Sequence, residues 1–256
     1  MCLIIVAHRI VPGYELVLIG NRDEFWERPT KALGWWQSGS VLSGRDLVAG
    51  GTWLGINSAG HWAALTNYRE RGTSGSYLRS RGELPKYILE ENITSLDSLT
   101  LYSGSLSQYS GFNLLFGSRE SMGFVSNRES WNQGKQEPGL YGLSNASLNT
   151  PWPKVSKTKE RFWELVQHGE IDEQALYRIL KDQSEAPDDQ LPDTGVGYEW
   201  EKKLSAVCIH APEHKYGTRS HAILSIRNDG KIRFREWLWQ EEAAGEAFEF
   251  FRANDT

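Results

Sequence analysis

The sequence has little of several features that mark whole classes of protein. Its 256 residues include two cysteines, Cys2 and Cys208, too few for the disulfide framework of a small secreted protein, so a reducing compartment is the default. No apolar stretch approaches the roughly 20 residues of a membrane span. Residues 3–7 are apolar but lack the preceding basic region of a signal peptide. We therefore expect a cytoplasmic protein without a transmembrane segment.

Charge of one sign is not concentrated anywhere in the chain. The formal net charge is −5, and the basic stripe that a nucleic-acid groove requires is missing. The histidines and cysteines match no zinc or haem-attachment motif. A chain of this length also needs no metal or disulfide for its stability. The composition thus predicts no nucleic-acid partner and no required cofactor.

What the sequence does contain is a clear order of strands and helices. The predicted strands, which are apolar and bounded by turn residues, span residues 3–8, 16–19, 52–56, 61–66, 112–116, 123–126, 140–144, 206–210, 222–226 and 232–237. The predicted helices span residues 80–91, 95–109, 154–168, 173–180 and 241–252. Strands and helices are grouped instead of alternating, which favours an α+β fold built on antiparallel sheets. No domain boundary is evident, so we expect residues 1–256 to form a single domain.

Cys2 is the first candidate functional residue. It precedes an apolar, β-branched run, so the N-terminus would begin inside the core sheet. Methionine is usually removed when the second residue is small, and removal of Met1 would leave Cys2 with a free α-amine beside its thiol. Their reference pKa values, about 7.7–8.0 and about 8.5, are close enough for the amine to act as base for the thiol. The alternative is a small buried hydrophobic residue at the start of a strand.

The polar tetrad Asn21-Arg22-Asp23-Glu24 ends the second strand abruptly. In a hairpin, the end of the second strand lies beside the start of the first, which would bring Arg22 and Asp23 close to Cys2. A guanidinium there would favour the thiolate, and a carboxylate would hold the amine. An ordinary polar turn is the alternative interpretation.

Glycines and side-chain amides stand at the ends of other strands. The motif Gly50-Gly51-Thr52-Trp53-Leu54-Gly55 permits close backbone approach but lacks the Gly-Lys-Ser/Thr ending of a phosphate loop. Asn67 and Asn145 each close a strand and offer amides of the kind that an oxyanion site needs, although both would also suit a turn. Cys208 is predicted to be a buried, inert thiol.

The ordered set of motifs resembles the NRDE family, also called the transport and Golgi organisation type. The matching pieces, in family order from residue 1 to about residue 221, are Met1-Cys2-Leu3, Asn21 to Glu24, Arg28-Pro29-Thr30, Gly44-Arg45-Asp46, Gly50 to Gly55, Leu65-Thr66-Asn67, Ser80-Arg81-Gly82, Leu143-Ser144-Asn145 and Tyr216 to Ser220. Each piece is weak alone, but the ordered set is highly specific. The family is similar to N-terminal-nucleophile hydrolases, which implies a four-layer αββα sandwich.

The bile-salt and penicillin V amidases are the nearest analogues among those hydrolases, and the similarity implies roles for individual residues. The implied catalytic set is Cys2 as nucleophile, Arg22 and Asp23 as its orienting residues, Asn67 and Asn145 as oxyanion donors, and Arg219 as the counterpart of a distal arginine. The residues expected to contact the ligand are Asn21, Glu24, Trp53 and Tyr68.

Two classes of function stay open at this point. One is a hydrolase that cuts a C–N amide bond by way of an acyl-cysteine. The other is a non-catalytic haem-binding or haem-trafficking protein that uses the same pocket, because eukaryotic relatives are associated with haem trafficking. Trp26, Trp53 and Trp152 lie beside the polar motifs and predict an apolar-walled pocket for an acyl or planar ligand, with simple core packing as the alternative. The expected partner is therefore a small molecule, an acyl amide or haem.

Overall fold

Strands make up most of the regular structure of the protein. The structure, a computed structural model, describes residues 2–70, 78–129, 133–239 and 245–253. The strands are β1 (Cys2–His8), β2 (Tyr14–Phe25), β3 (Thr30–Trp35), β4 (Val41–Asp46), β5 (Leu54–Asn57), β6 (Trp62–Asn67), β7 (Phe112–Gly117), β8 (Met122–Ser126), β9 (Gly134–Gln136), β10 (Gly139–Leu143), β11 (His210–Ala211), β12 (Tyr216–Arg227), β13 (Lys231–Leu238) and β14 (Glu246–Phe251). The helices are α1 (Glu83–Glu91), α2 (Leu96–Ser103), α3 (Pro153–Val166), α4 (Glu173–Leu180) and α5 (Tyr198–Leu204).

These strands form two antiparallel sheets that face each other. The first sheet has the order β10-β1-β2-β12-β13-β14, with the short strand β11 paired to β12, and the second has the order β3-β4-β5-β6-β7-β8-β9. A core that includes the buried side chains of Ile4, Leu18 and Trp62 fills the space between them. Because β1 lies between β10 and β2, the first described residues are fixed inside a sheet, although chain termini usually fray.

Helices cover the outer face of each sheet. Helices α3 and α4 pack on the first sheet, where Phe162 and Leu176 share a second core with Ile5. Helices α1 and α2 pack on the second sheet around a third core that contains Ile88. The predicted four-layer αββα sandwich of antiparallel sheets is therefore confirmed. The strands have continuous apolar sequences because both faces of each sheet are covered. Within the described part of the chain, no helix is both long and apolar enough to cross a membrane.

Successive residues of β2 face opposite sides of the first sheet, as in any strand. Leu18 belongs to the core between the sheets, and Ile19 belongs to the core beneath the helices. The same alternation continues into the polar tetrad. Arg22 therefore faces the second sheet, where it hydrogen-bonds Asp46, whereas Asn21 faces the helical layer and hydrogen-bonds the backbone of Leu180.

The predicted helix at residues 241–252 is wrong. The structure has strand β14 over Glu246–Phe251, and residues 240–244 lie outside the described part of the chain. Phe248 and Phe250 pack against the inter-sheet core, while Glu249 between them is exposed. That alternation has the period of a strand and not of a helix, and pairing with β13 selects it.

The predicted strand at residues 206–210 is also wrong over most of its length. Only His210 and Ala211 pair with β12, and the residues before them form a buried loop. The Cys208 N–H donates to the backbone oxygen of Asp182 over 2.8 Å, and the Ile209 N–H donates to the Thr218 hydroxyl over 2.9 Å. Burial alone thus explains the apolar run.

Strands β3, β4 and β9 and helix α5 had no counterpart in the prediction, because short segments rich in polar residues carry little periodicity.

Replacing a core leucine tests the packing between the sheets. Leu18 is completely buried in the inter-sheet core, so Leu18→Ala leaves a cavity and lowers the free energy of unfolding by about 2–5 kcal/mol. Leu101→Ala is the matched control, because Leu101 is 84% exposed, and we expect a loss below about 0.5 kcal/mol there. Urea denaturation of both variants makes the comparison, and equal losses would contradict the assigned core.

Candidate active site

A cavity lies at the end of the two sheets where the polar tetrad is found. Its volume is about 140 Å³. Its walls come from the start of β1, the end of β2, β4, residues 51–53, the end of β6, residues 80–82 before α1, and one residue of β13. The residues predicted for the site that line it are Cys2, Arg22, Asp23, Glu24, Trp53 and Asn67.

Cys2 is held firmly at the edge of this cavity. It pairs directly with Arg22 across β1 and β2, and its backbone oxygen accepts a hydrogen bond of 3.1 Å from the Ser144 hydroxyl. Burial raises the pKa of the Cys2 thiol, and the Asp23 carboxylate raises it further, while Arg22 and the Asp23 backbone N–H lower it. The thiol is therefore placed between opposing electrostatic influences, and its ionisation depends on which of them is changed.

Asp23 is a buried carboxylate on the helical side of β2. Its side chain is in register with Thr218 of β12 and accepts a hydrogen bond of 2.7 Å from the Thr218 hydroxyl. Burial raises the pKa of Asp23, and the positive charge of Lys154 opposes that rise. A carboxylate in this position is fixed in orientation and lies within electrostatic reach of the Cys2 thiol.

Arg22 bridges the two sheets. Its guanidinium donates to the Thr30 hydroxyl over 3.1 Å and to the Asp46 carboxylate over 3.2 Å. Asp46 also accepts hydrogen bonds from Arg28, so one carboxylate holds two guanidinium groups. Arg22 thus acts on Cys2 by its charge, while its hydrogen bonds join the tetrad to the second sheet.

The two predicted oxyanion donors occupy different places. Asn67 lines the cavity at the end of β6. Asn145 is completely buried and does not line it. The Asn145 side-chain amide donates to the backbone oxygen of Asn67 over 2.8 Å, and its side-chain oxygen accepts from the Ser144 hydroxyl over 3.1 Å. Asn145 therefore fixes the backbone that carries Asn67.

Three other predicted site residues lie outside the cavity. The Arg219 guanidinium donates to the backbone oxygens of Phe25, Trp26 and Arg28 and so fastens the loop after β2. The Asn21 side chain faces the helical layer and also hydrogen-bonds His221 over 2.8 Å. Tyr68 donates its backbone N–H to Gly111 over 2.8 Å, and its side chain is not part of the wall.

The prediction of an apolar-walled pocket is wrong. The cavity is lined largely by charged and polar side chains, including those of the arginines Arg22, Arg28, Arg45 and Arg81 and the acidic residues Asp23, Glu24, Asp46 and Glu236. Of the three tryptophans expected there, only Trp53 lines it. Trp26 packs on His210 with ring centroids 5.6 Å apart, and the Arg69 guanidinium lies 4.7 Å from the Trp152 ring. Aromatic side chains beside polar motifs had a packing role here, which composition alone does not reveal.

Several charged residues of the site had no predicted role. Asp46 and Arg81 fall in motifs of the family pattern, so the ordered set contained a signal for them. For Lys154, in the first turn of α3, the sequence contained no such signal. Its ammonium is buried without a hydrogen-bond partner among the described residues, and burial lowers the pKa of Lys154 to about 8. Among the residues that the structure describes, no group of three or more side chains that could bind a metal ion occurs.

Sequence comparisons cover most of this architecture. The sequence model of the family described as Transport and Golgi organisation 2 matches residues 1–241. The Transport and Golgi organization protein 2 homolog of Bos taurus is 37% identical over 241 residues, which cover 88% of this chain and 86% of that protein. The Transport and Golgi organization protein 2 of Drosophila melanogaster is 31% identical over 255 residues, with the same shares covered.

A structural comparison identifies the fold. The Caenorhabditis elegans N-acylethanolamine-hydrolyzing acid amidase ortholog aligns with a TM-score of 0.52 and 13% sequence identity, over 87% of this chain and 92% of that one. At this identity the likeness shows the fold alone, that of the N-terminal-nucleophile hydrolases. The family resemblance predicted from the ordered motifs is confirmed by the sequence matches, and the chain belongs to the Transport and Golgi organisation 2 family.

Proposed function

We propose that this protein is an N-terminal cysteine hydrolase that cleaves C–N amide bonds. The observation that supports it is the position of Cys2, which lines a polar cavity as the first described residue of β1, opposite Arg22 and in contact with the Asp23 backbone N–H. A buried cysteine kept only for packing would need neither the cavity nor the charges around it. A thiol beside a cation, a carboxylate and an amide is a set typical of nucleophilic catalysis.

The chemistry begins once Met1 is removed. The α-amine of Cys2 then accepts the thiol proton, and the sulfur attacks the carbonyl carbon of the amide. The resulting tetrahedral oxyanion collapses as the C–N bond breaks, and the ammonium returns its proton to the leaving amine. Water, deprotonated by the same amine, then hydrolyses the thioester and releases a carboxylic acid. Each turnover thus consumes one water and regenerates the free thiol.

Asp23 is the residue that would hold the α-amine. Its carboxylate is oriented by Thr218, and the positive charge of Lys154 favours its ionised form against the effect of burial on its pKa. An ammonium formed on Cys2 during the reaction would favour that form further. In this proposal Asp23 fixes the base, Thr218 positions Asp23, and the charge of Lys154 favours the ionised form of Asp23.

Asn67 is the candidate oxyanion donor that lines the cavity. Asn145 hydrogen-bonds the backbone oxygen of Asn67, so its proposed contribution is to hold Asn67 in place. A preorganised donor is worth more than a mobile one because no reorganisation accompanies the reaction. The two asparagines would then act together, one by contact with the substrate and one through its neighbour.

No specific feature favours the haem carrier, which stays a prediction. Among the described residues that line the cavity there is no histidine. The volume of about 140 Å³ is also below the roughly 300–1,000 Å³ of pockets that enclose drug-sized ligands. The geometry therefore suits a short acyl amide better than a macrocycle. A saturable hemin titration with a shifted Soret band, lost when one histidine is replaced, would restore the carrier proposal.

Replacing the two cysteines in turn tests the proposed nucleophile. Cys2→Ala should reduce turnover of a panel of acyl amides by on the order of a thousandfold or more, as expected when a nucleophile is removed. Cys208→Ala is the control and should retain turnover, because Cys208 is buried and burial raises its pKa to about 12. Intact mass should show loss of Met1 and, with a slow substrate, an acyl adduct on Cys2. Retained Met1, or a panel that is not turned over by the native protein, would contradict the proposal.

The opposing charges around Cys2 predict opposite effects on its reactivity. Because Asp23 raises and Arg22 lowers the pKa of the thiol, Asp23→Asn should move alkylation of Cys2 by iodoacetamide to lower pH, and Arg22→Gln should move it to higher pH. Asp189→Asn, at an exposed position, should leave the profile unchanged. Peptide mapping across a pH series measures all three. Shifts of the same sign for the two site variants would show that their charges do not act on the thiol as assigned.

A further inference from the structure

The four arginines of the cavity differ in their partners. Arg22 and Arg28 both hydrogen-bond Asp46. Arg45 donates to the backbone oxygen of Gly50 over 3.1 Å and stacks against a tryptophan ring, and Arg81 donates to a backbone oxygen as well. In the ranges that the structure describes, neither Arg45 nor Arg81 has a carboxylate partner. Two of the four arginines in the cavity thus form no ion pair with a carboxylate of the described residues.

Of these two, Arg81 is the one that interacts electrostatically with the polar tetrad. Burial lowers the pKa of its guanidinium, against the influence of Glu24 and of the Cys2 sulfur, so Arg81 lies within electrostatic reach of the proposed nucleophile. A guanidinium carries five N–H donors, and the one hydrogen bond described for Arg81 is from Nη1 to the Gly111 backbone oxygen, at 3.0 Å. Arg81 is partly buried and lines the cavity, so the donors that make no described hydrogen bond are available to an anionic ligand there.

The backbone around Arg81 is held against the glycine motif. The Gly82 backbone oxygen accepts a hydrogen bond of 3.1 Å from the Thr52 N–H. A Cβ atom at Gly51 would lie 2.3 Å from that same oxygen, so only glycine permits this approach. The residues before α1 are therefore fixed to the segment that leads into β5, and Arg81 is presented to the cavity from a rigid support.

We propose that Arg81, assisted by Arg45, binds a carboxylate group of the substrate close to the scissile amide. A planar guanidinium fork matches a carboxylate in a bidentate manner. The cavity already contains four acidic side chains beside its four arginines, so a monoanion fits its charge better than a dianion. This inference rests on the proposed function and narrows it to short acyl amides that carry a carboxylate, such as N-acyl amino acids.

A matched pair of alkylating reagents tests this subsite without amide turnover. Iodoacetate and iodoacetamide are nearly equal in size, and each transfers its two-carbon group to a thiolate with loss of iodide, but only iodoacetate carries a carboxylate. Glutathione in the same tube supplies the reference ratio of the two rates. We expect the iodoacetate-to-iodoacetamide ratio at Cys2 to exceed the reference by about tenfold or more, because a guanidinium–carboxylate contact near the sulfur favours the anionic reagent.

Variants then assign the effect to its residue. Arg81→Gln should lower the ratio several-fold toward the reference, and Arg45→Gln should lower it less. Arg119→Gln is the control, since Arg119 is 67% exposed and pairs with Glu15 away from the cavity. Changes in thiol pKa slow both reagents alike and cancel in the ratio. Melting curves identify any variant that fails to fold, and the wild-type ratio is decisive on its own.

The outcomes separate this inference from the proposed function. A wild-type ratio at or below that of glutathione, or an Arg81→Gln variant that slows both reagents equally, would overturn the carboxylate subsite, even if neutral amides are hydrolysed. A high ratio that depends on Arg81, in a protein that turns over no amide, would keep the subsite and remove the hydrolase. If both hold, N-acylglycines should be hydrolysed faster than the corresponding N-acylglycinamides by the wild-type protein but not by Arg81→Gln.

Discussion

The pairing of Cys2 with Arg22 across β1 and β2 is the constraint on which the site depends. It places the start of the chain in the interior of a sheet, and it brings the end of the adjacent strand beside it. Because successive residues of β2 face opposite sides of the sheet, the charges of Arg22 and Asp23 are directed apart. Arg22 is directed toward the second sheet and Asp23 toward the helical layer. Shifting the register by one residue would exchange these directions and remove the cation from the thiol.

Part of this arrangement could be predicted from sequence because it is local. A hairpin brings the ends of consecutive strands together, so Cys2, Arg22 and Asp23 follow from strand order alone. Contacts that depend on how the sheets and helices pack could not be predicted in that way. Asp46 reaches Arg22 from the second sheet, and Lys154 approaches Asp23 from α3. The predictions of strands and helices were most reliable in long apolar runs. They failed at the buried loop before β11, which is as apolar as a strand, and at the late, short strand β14, which was predicted to be a helix.

Close backbone approach links the glycine motif to the cavity wall. Gly51 meets Gly82 too closely for any side chain. Gly20 makes a similar approach, since a Cβ atom there would lie 2.8 Å from the Leu3 backbone oxygen and 3.3 Å from the Trp53 ring. Trp53 therefore packs against β2 while it also lines the cavity. Because these glycines have no side chain, they let neighbouring segments approach closely and so shape the cavity wall. A pattern of glycines near polar motifs therefore indicates a site but does not identify its ligand.

The buried charges give the strongest physical reason to regard the cavity as functional. Arg69 and Glu201 form a pair of 2.7 Å with side chains about 5% exposed, which shows that this fold can pair a buried cation with a carboxylate. The Lys154 ammonium has no hydrogen-bond partner among the described residues, and the one hydrogen bond described for Arg81 is to a backbone oxygen. Stability alone would favour an apolar side chain in place of the buried Lys154. The proposed function gives both groups a chemical role beside Cys2, in which Lys154 favours the ionised form of Asp23 and Arg81 binds the anionic group of the substrate.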